Sequence, residues 1–154
     1  MVTVADISLE HRDVILALPE GHFHDLKSKD IAPGKLTKTI SGFANAAGGE
    51  LYVGVDERQG PGGAKIRSWR GFADPEERHL QAFEQVSPLG TYVRPTFLRT
   101  ATDSGLVLQL EVLKTREIVK ATDDIAYVRR GAQNLPQTTE EQLNRLGRIA
   151  KAHT

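Results

Sequence analysis

The stretch from Leu36 to Val55 places the strongest constraint on how this chain can fold. Apolar residues recur along its first half with the period of one face of an amphipathic helix. They are Leu36, Ile40, Phe43, Ala44 and Ala47. Gly48–Gly49 follows as a helix stop and a tight turn, and Leu51–Val55 is a short apolar run typical of a strand buried on both faces. The sequence therefore predicts a helix, a double-glycine turn and a buried strand in direct succession.

Short elements flank this segment on both sides. Ser8 is a candidate N-cap for a first helix that Pro19 stops, and Asp74–Pro75 starts another helix that runs to about Val86 and breaks at Pro88–Gly90. Runs rich in β-branched or alternating apolar residues predict the strands Phe23–Ser28, Lys65–Trp69, Tyr92–Ala101, Leu106–Leu113, Ile118–Ala121 and Ala126–Arg129. We expect Lys65–Trp69 to resume the main sheet after a glycine-rich loop. Hairpin turns are expected at Asp103–Gly105 and Asp123–Asp124.

The C-terminal part of the chain predicts a closing helix over about 139–150. Thr138 and Thr139 are each followed three residues later by Glu141 or Gln142, which is the pattern of a capping box. The chain contains no internal repeat and no interdomain linker. We therefore expect a single domain over 1–154, of the α+β class, with a mixed β-sheet flanked by helices.

Composition limits the classes of function. The chain has 20 basic and 20 acidic side chains, so it has no overall field that would attract nucleic acid, and any basic surface must be local. Residues 1–64 carry a net charge of −3 and residues 65–154 one of +3. The absence of cysteine argues against disulfides and thiolate metal sites. With no long apolar run either, we expect a soluble, cytoplasmic protein.

Four short motifs occur in order: Glu20–Lys27, Gly42–Gly49, Gly54–Asp56 and Tyr127–Gly131. Together they resemble the Schlafen-like domain of the AlbA type, whose pattern is Glu-x4-Glu-Phe-Lys, Ala-Phe-Ala-Asn-x-x-Gly-Gly, Gly-Val-Asp and Tyr-x-Arg-x-Gly. The resemblance covers residues 20–131 and implies the Schlafen AlbA-type fold. Within it, Phe43–Val55 is expected to be scaffold, with the Asn45 amide bonding carbonyls at the helix end or bridging to a neighbouring loop.

The resemblance also implies a candidate catalytic site. In Schlafen-type endoribonucleases three carboxylates form a metal-dependent site that cuts structured RNA, and the matching residues here are Glu20, Asp25 and Asp56, with aspartate where the family has its second glutamate. Such a site would hold Mg²⁺ or Mn²⁺, which prefer hard oxygen ligands. Lys27 lies two residues after Asp25, so on a strand it would face the same side and could offset charge on the phosphorus.

Each candidate also has a purely structural interpretation. The carboxylates and Lys27 could be exposed or ion-paired side chains. His22 and His24 are two residues apart on the predicted strand, so their side chains share a face and could together bind a transition metal. They could equally be ordinary surface or partly buried histidines.

Basic residues cluster in two places that could bind phosphates. They are Lys27, Lys29, Lys35 and Lys38 around the strand and the start of the main helix, and Arg129 and Arg130 before Gly131. The alternative is a solvated charged face.

The sequence leaves three functions open. The first is a nucleic-acid-binding module, with RNA favoured over DNA. The second is a metal-dependent endoribonuclease, and the third is a non-catalytic dimerisation or interaction domain. Because the Schlafen core pairs two related lobes and this chain resembles one of them, we expect a homodimer.

Overall fold

Helices and strands alternate along the chain, and the computed structural model describes them for residues 3–75, 80 and 92–152. The elements are β1 (Val4–Asp6), α1 (Leu9–Leu16), β2 (His24–Lys27), α2 (Pro33–Ala44), β3 (Gly49–Val53), β4 (Val55–Gln59), a 3₁₀ turn (Pro61–Gly63), β5 (Lys65–Trp69), β6 (Val93–Arg99), β7 (Val107–Val112), β8 (Ala126–Arg130), β9 (Gln133–Gln137) and α3 (Glu140–Ala152). The helix predicted from Asp74–Pro75 to about Val86, with its break at Pro88–Gly90, falls largely outside the described residues.

A mixed sheet forms the centre of the fold. Within the described residues it has five strands in the order β1-β6-β7-β3-β2. The outer pairs β1–β6 and β2–β3 are parallel, whereas β6–β7 and β3–β7 are antiparallel. One face packs against α2 and the other against α1. The predicted α+β class with a mixed sheet flanked by helices is confirmed.

The amphipathic stripe of α2 covers one face of this sheet. Ile40, Phe43 and Ala44 have no exposed surface and pack with Leu51 of β3, so these predicted core residues are confirmed. Ala47 is exposed because the helix ends earlier than the stripe, at Ala44. The chain then reverses at Gly48, whose φ of 81° lies in the left-handed region that favours glycine.

The predicted strand Leu51–Val55 is interrupted at Gly54. This residue has φ 118°, and a Cβ atom there would lie 2.9 Å from the Cα of Gly71. The chain therefore leaves the main sheet after β3, and β4 pairs with β5 in a separate hairpin. The expectation that Lys65–Trp69 resumes the main sheet is wrong, although the strand itself is confirmed.

The β8–β9 hairpin and α3 form a further layer on the outer side of α2. Ala126 and Val128 of β8 pack with Leu146 of α3. The predicted strand Ile118–Ala121 is wrong, since this segment makes only one isolated bridge within the described chain, from Lys120 to Ala126. The hairpin turns before β7 and β8 fall where they were predicted.

Two predicted helix caps are confirmed. Ser8 Oγ accepts from the His11 amide at the start of α1. Thr139 Oγ1 accepts from the Gln142 amide while Gln142 Oε1 accepts from the Thr139 amide, which is the capping box of α3. No described helix combines the length and the apolar character needed to cross a membrane.

Candidate functional site

A buried ion pair joins β2 to β8. Asp25 and Arg129 are each only 1% exposed, and Arg129 Nη1 lies 3.3 Å from Asp25 Oδ2. The other guanidinium nitrogens donate to the carbonyl oxygens of Gly21 at 2.9 Å and His24 at 3.3 Å. The group also stacks over the Phe43 ring, 4.9 Å from its centroid. Arg129 is therefore a structural cation with an enclosed guanidinium, and its contact with nucleic acid stays a prediction.

Lys27 is the second cation beside Asp25. Its Nζ lies 3.3 Å from Asp25 Oδ2, and its side chain is 33% exposed. The prediction that these two side chains share a strand face is confirmed. Asp25 Oδ2 thus faces two cations, so its charge is balanced within the fold and not by solvent.

Glu20 stands beside the same carboxylate. Burial raises the pKa of Glu20 to about 7, and its hydrogen bond and charge interaction with Asp25 act in the same direction. Lys27 opposes this shift, and Arg67 of β5 lies 3.8 Å from Glu20 Oε1. The buried Asp25 Oδ1 accepts no hydrogen bond from the described residues. A proton on Glu20 would be shared with the Asp25 carboxylate.

This shared proton predicts a pH-dependent effect of Glu20→Gln. Glutamine keeps a donor but never ionises, whereas the raised pKa of Glu20 makes wild-type stability fall as the pH rises from about 4.5 to about 7. We expect the variant to unfold like wild type near pH 4 and to be more stable by about 1–2 kcal/mol near pH 8, allowing for solvent screening.

The measurement is urea denaturation at the two pH values. Glu10→Gln removes an exposed carboxyl of α1 and serves as the control. A Glu20→Gln difference that is equal at both pH values would contradict the shared proton.

Asp56 lies in β4 and pairs with a different cation. Its Oδ2 is 3.6 Å from Arg70 Nη1, which also binds Asp30 Oδ2 at 2.6 Å. Among the described residues no three carboxylate or imidazole groups are arranged to hold a metal ion. The structure therefore brings Glu20 and Asp25 together but does not add Asp56 to them.

The donor set does not fit Mg²⁺ or Mn²⁺ in this arrangement. These ions require several open oxygen ligands and room for water, whereas Asp25 is buried and faces two cations, and Asp56 is bound to Arg70. His22 and His24 gain no third ligand within the described chain. The metal assignment to Glu20, Asp25 and Asp56 stays a prediction.

The predicted basic residues around α2 have different surroundings. Lys38 lies 4.0 Å from Asp123 and 5.8 Å from the centroid of the Tyr127 ring, so its charge is partly engaged. Lys29 and Lys35 form no ion pair with any residue that the structure describes, and Lys35 is exposed. These two lysines are available to an anionic partner.

A cleft of about 420 Å³ opens between β8, the start of α3 and the loop before β2, and we call it the β8–α3 cleft. Besides the enclosed Arg129, two of its lining residues are cationic, Arg130 and Arg145, and His22 adds an imidazole. Arg145 lies 3.5 Å from Glu141, while Arg130 is exposed and has no ion-pair partner in the described chain. No described carboxylate lines the cleft.

Sequence reasoning found Arg130 but missed Arg145. The capping box at Thr139 located α3, but nothing local indicates that this helix lies beside β8. Strand β9 contains Pro136 and has no alternating pattern of apolar residues. The sequence therefore does not predict the β8–β9 hairpin, beside which the cleft lies.

The family of the chain follows from its sequence match. The Schlafen AlbA_2 family model matches residues 20–138. The chain belongs to the Schlafen AlbA_2 family. That span includes the Glu20–Asp25 pair, α2 and the β8–β9 hairpin, so most of the site lies within the Schlafen AlbA_2 domain. No match was found among curated proteins.

Solved structures share the fold of this Schlafen AlbA_2 domain at low identity. One is the solution structure of the N-terminal domain of a putative ATP-dependent DNA helicase RecG-related protein from Nitrosomonas europaea, with a TM-score of 0.57 and 21% identity over 77% of this chain and 84% of that one. Another is the DIP2311 protein from Corynebacterium diphtheriae, with a TM-score of 0.57 and 18% identity over 83% of this chain but 29% of that one. These likenesses show the fold alone.

Proposed function

We propose that this Schlafen AlbA_2 domain binds nucleic acid through the β8–α3 cleft. The observation that carries the proposal is the meeting of His22, Arg130 and Arg145 in a cleft that no described carboxylate lines. Because the chain has no net charge, binding of a polyanion requires such a local concentration of cations. Guanidinium groups suit the task, since their paired N–H donors match two phosphate oxygens.

The contrast with a second cleft supports this choice. That cleft, of about 340 Å³, is lined by Glu50 and Glu111 as well as Lys114. Burial also lowers the pKa of Lys114, so its ammonium group loses its proton more readily. A phosphate backbone would meet net negative charge there, so the β8–α3 cleft is the better candidate.

Lysines extend the positive surface beyond the cleft. Lys35 lies in the first turn of α2, and Ala46, just after the end of this helix, lines the cleft. At 1.5 Å per helical residue, Lys35 lies about 14 Å along the axis from the end of the helix at Ala44. A strand bound in the cleft could therefore reach Lys35, and each phosphate neutralised would release counterions.

Related proteins are consistent with a nucleic-acid partner. One structural neighbour is a domain of a protein described as RecG-related and as a putative DNA helicase. The resemblance to Schlafen-type endoribonucleases leads us to favour RNA over DNA for this chain. Both supports concern relatives, so the cleft residues themselves provide the test.

The test is a fluorescence titration with labelled RNA and DNA at two salt concentrations. We expect binding that weakens with salt. The double variant Arg130→Gln/Arg145→Gln should bind at least about tenfold more weakly, and its salt slope should be smaller by about 1 for each phosphate that it no longer neutralises. Arg58→Gln is the matched control, because Arg58 is an exposed arginine of β4 outside the cleft.

Two results would count against the proposal. Absence of binding even at low salt would rule out nucleic acid as the partner. Equal weakening by Arg58→Gln and by the cleft variants would show diffuse attraction to the whole surface and not a site.

Adding Mg²⁺ or Mn²⁺ to the same RNA samples examines the predicted endoribonuclease activity, and light scattering examines the predicted homodimer.

A further inference from the structure

We infer that the β8–α3 cleft receives one unpaired nucleotide, so that the domain selects single-stranded over double-stranded nucleic acid. This inference rests on the proposed function and adds the form of the ligand. It follows from the size of the cleft, from its apolar floor and from two amide side chains whose orientations are fixed.

The size and the floor suit a single base. A volume of about 420 Å³ is within the range of small-molecule sites and accommodates one nucleotide, whereas a duplex would contact only the rim. Ala46, Val128 and Leu146 supply apolar surface inside the cleft. Apolar surface favours the face of a base, which a duplex keeps inside its stack.

Two glutamines line the same cleft, and hydrogen bonds fix one amide atom of each. Gln142 Oε1 accepts from the amides of Thr138 and Thr139, at 2.9 and 3.1 Å, which leaves its Nε2 as a donor. Gln137 Nε2 donates to the carbonyls of Leu135 and Pro136, both at 3.2 Å, which leaves its Oε1 as an acceptor. Neither remaining atom hydrogen-bonds to a residue that the structure describes.

A free donor and a free acceptor on two residues that line one cleft match the kinds of group on the edge of a nucleobase. Base edges carry donors and acceptors side by side, and in a duplex the Watson–Crick edge is already paired. Phosphate alone, which offers acceptors only, would leave the Gln137 oxygen without a partner. The amides therefore point to a base as well as a phosphate, and His22 and Arg130 of the lining can stack on its face.

Gln142→Glu separates base recognition from folding. Glutamate keeps the oxygen that caps α3, since a capping box accepts glutamate or glutamine, but it removes the Nε2 donor that the cap leaves free. The matched control is Asn144→Asp, which adds the same charge to an exposed position of α3 outside the cleft lining.

The experiment titrates both variants and wild type with a labelled single strand, with the corresponding duplex and with free nucleoside monophosphates. We expect wild type to bind the strand about tenfold more tightly than the duplex. Gln142→Glu should weaken binding of the strand about tenfold and binding of the duplex much less, and Asn144→Asp should follow wild type.

The outcomes distinguish the two proposals. Equal binding of strand and duplex, with the two variants alike, would overturn the unpaired-nucleotide inference and leave nucleic-acid binding intact. Free monophosphates that bind as tightly as the strand would overturn the assignment to a nucleic-acid strand. Failure of every ligand to bind at low salt would overturn the proposed function and this inference together.

Discussion

Replacing Arg129 with methionine should lower the free energy of unfolding by about 3–5 kcal/mol, because it leaves Asp25 charged and buried without its partner. Both side chains are 1% exposed, so water cannot take the place of the guanidinium. Lys27 stays beside the carboxylate, but it is one third exposed and supplies only one of the two cations. Urea denaturation followed by circular dichroism measures the change.

Two controls make this result specific. Arg130→Met removes the neighbouring, exposed arginine and should change the unfolding free energy by less than about 0.5 kcal/mol. The double variant Asp25→Asn/Arg129→Met removes both charges and should recover much of the stability. If the single and double variants were equally unstable, the cost would come from poorer packing over Phe43 and not from an unpaired charge.

Asn45→Ala should be about as destabilising, at about 3–5 kcal/mol. The buried amide of Asn45 donates to the carbonyls of Val119 and Tyr127, both at 2.8 Å, and its oxygen accepts from the Val119 amide at 2.9 Å. Alanine would leave the Tyr127 carbonyl and the Val119 amide unsatisfied, at about 1–3 kcal/mol each before relaxation. The Val119 carbonyl would keep its hydrogen bond from Ser41 Oγ at 2.7 Å. Thermal unfolding at fixed pH measures the loss.

An exposed asparagine provides the comparison for this variant. Asn144→Ala, on α3, should be close to neutral because no buried group in the described chain depends on that side chain. An Asn45→Ala protein as stable as Asn144→Ala would mean that water or a rearranged Ser41 hydroxyl satisfies the backbone groups instead.

Local patterns in the sequence were sufficient for much of the fold. The stripe of α2, the reversal at Gly48 and the capping box at Thr139 each depend on residues within a few positions of one another. The same holds for Asp25 and Lys27, whose shared strand face follows from a period of two. The bridging role expected for Asn45 is also confirmed.

Contacts between distant segments could not be predicted in this way. Ile118–Ala121 has the composition of a strand, but Asn45 and Ser41 take up the backbone groups of Val119 that a neighbouring strand would otherwise bind. The partner of Asp25 lies 104 residues away, and no spacing rule indicates it. The sequence therefore singled out Asp25 and Arg129 separately, whereas the ion pair between them was not predicted.

Neighbouring residues of strand β8 have different roles. Arg129 directs its guanidinium inward to the buried carboxylate, while its neighbour Arg130 is exposed in the cleft lining. Because successive side chains of a strand point to opposite faces, the guanidinium that anchors the strand and the exposed guanidinium next to it point in different directions. Ligand preference could therefore be redesigned at Arg130 while the anchor at Arg129 stays unchanged, which makes this hairpin a suitable starting point for engineering new specificities.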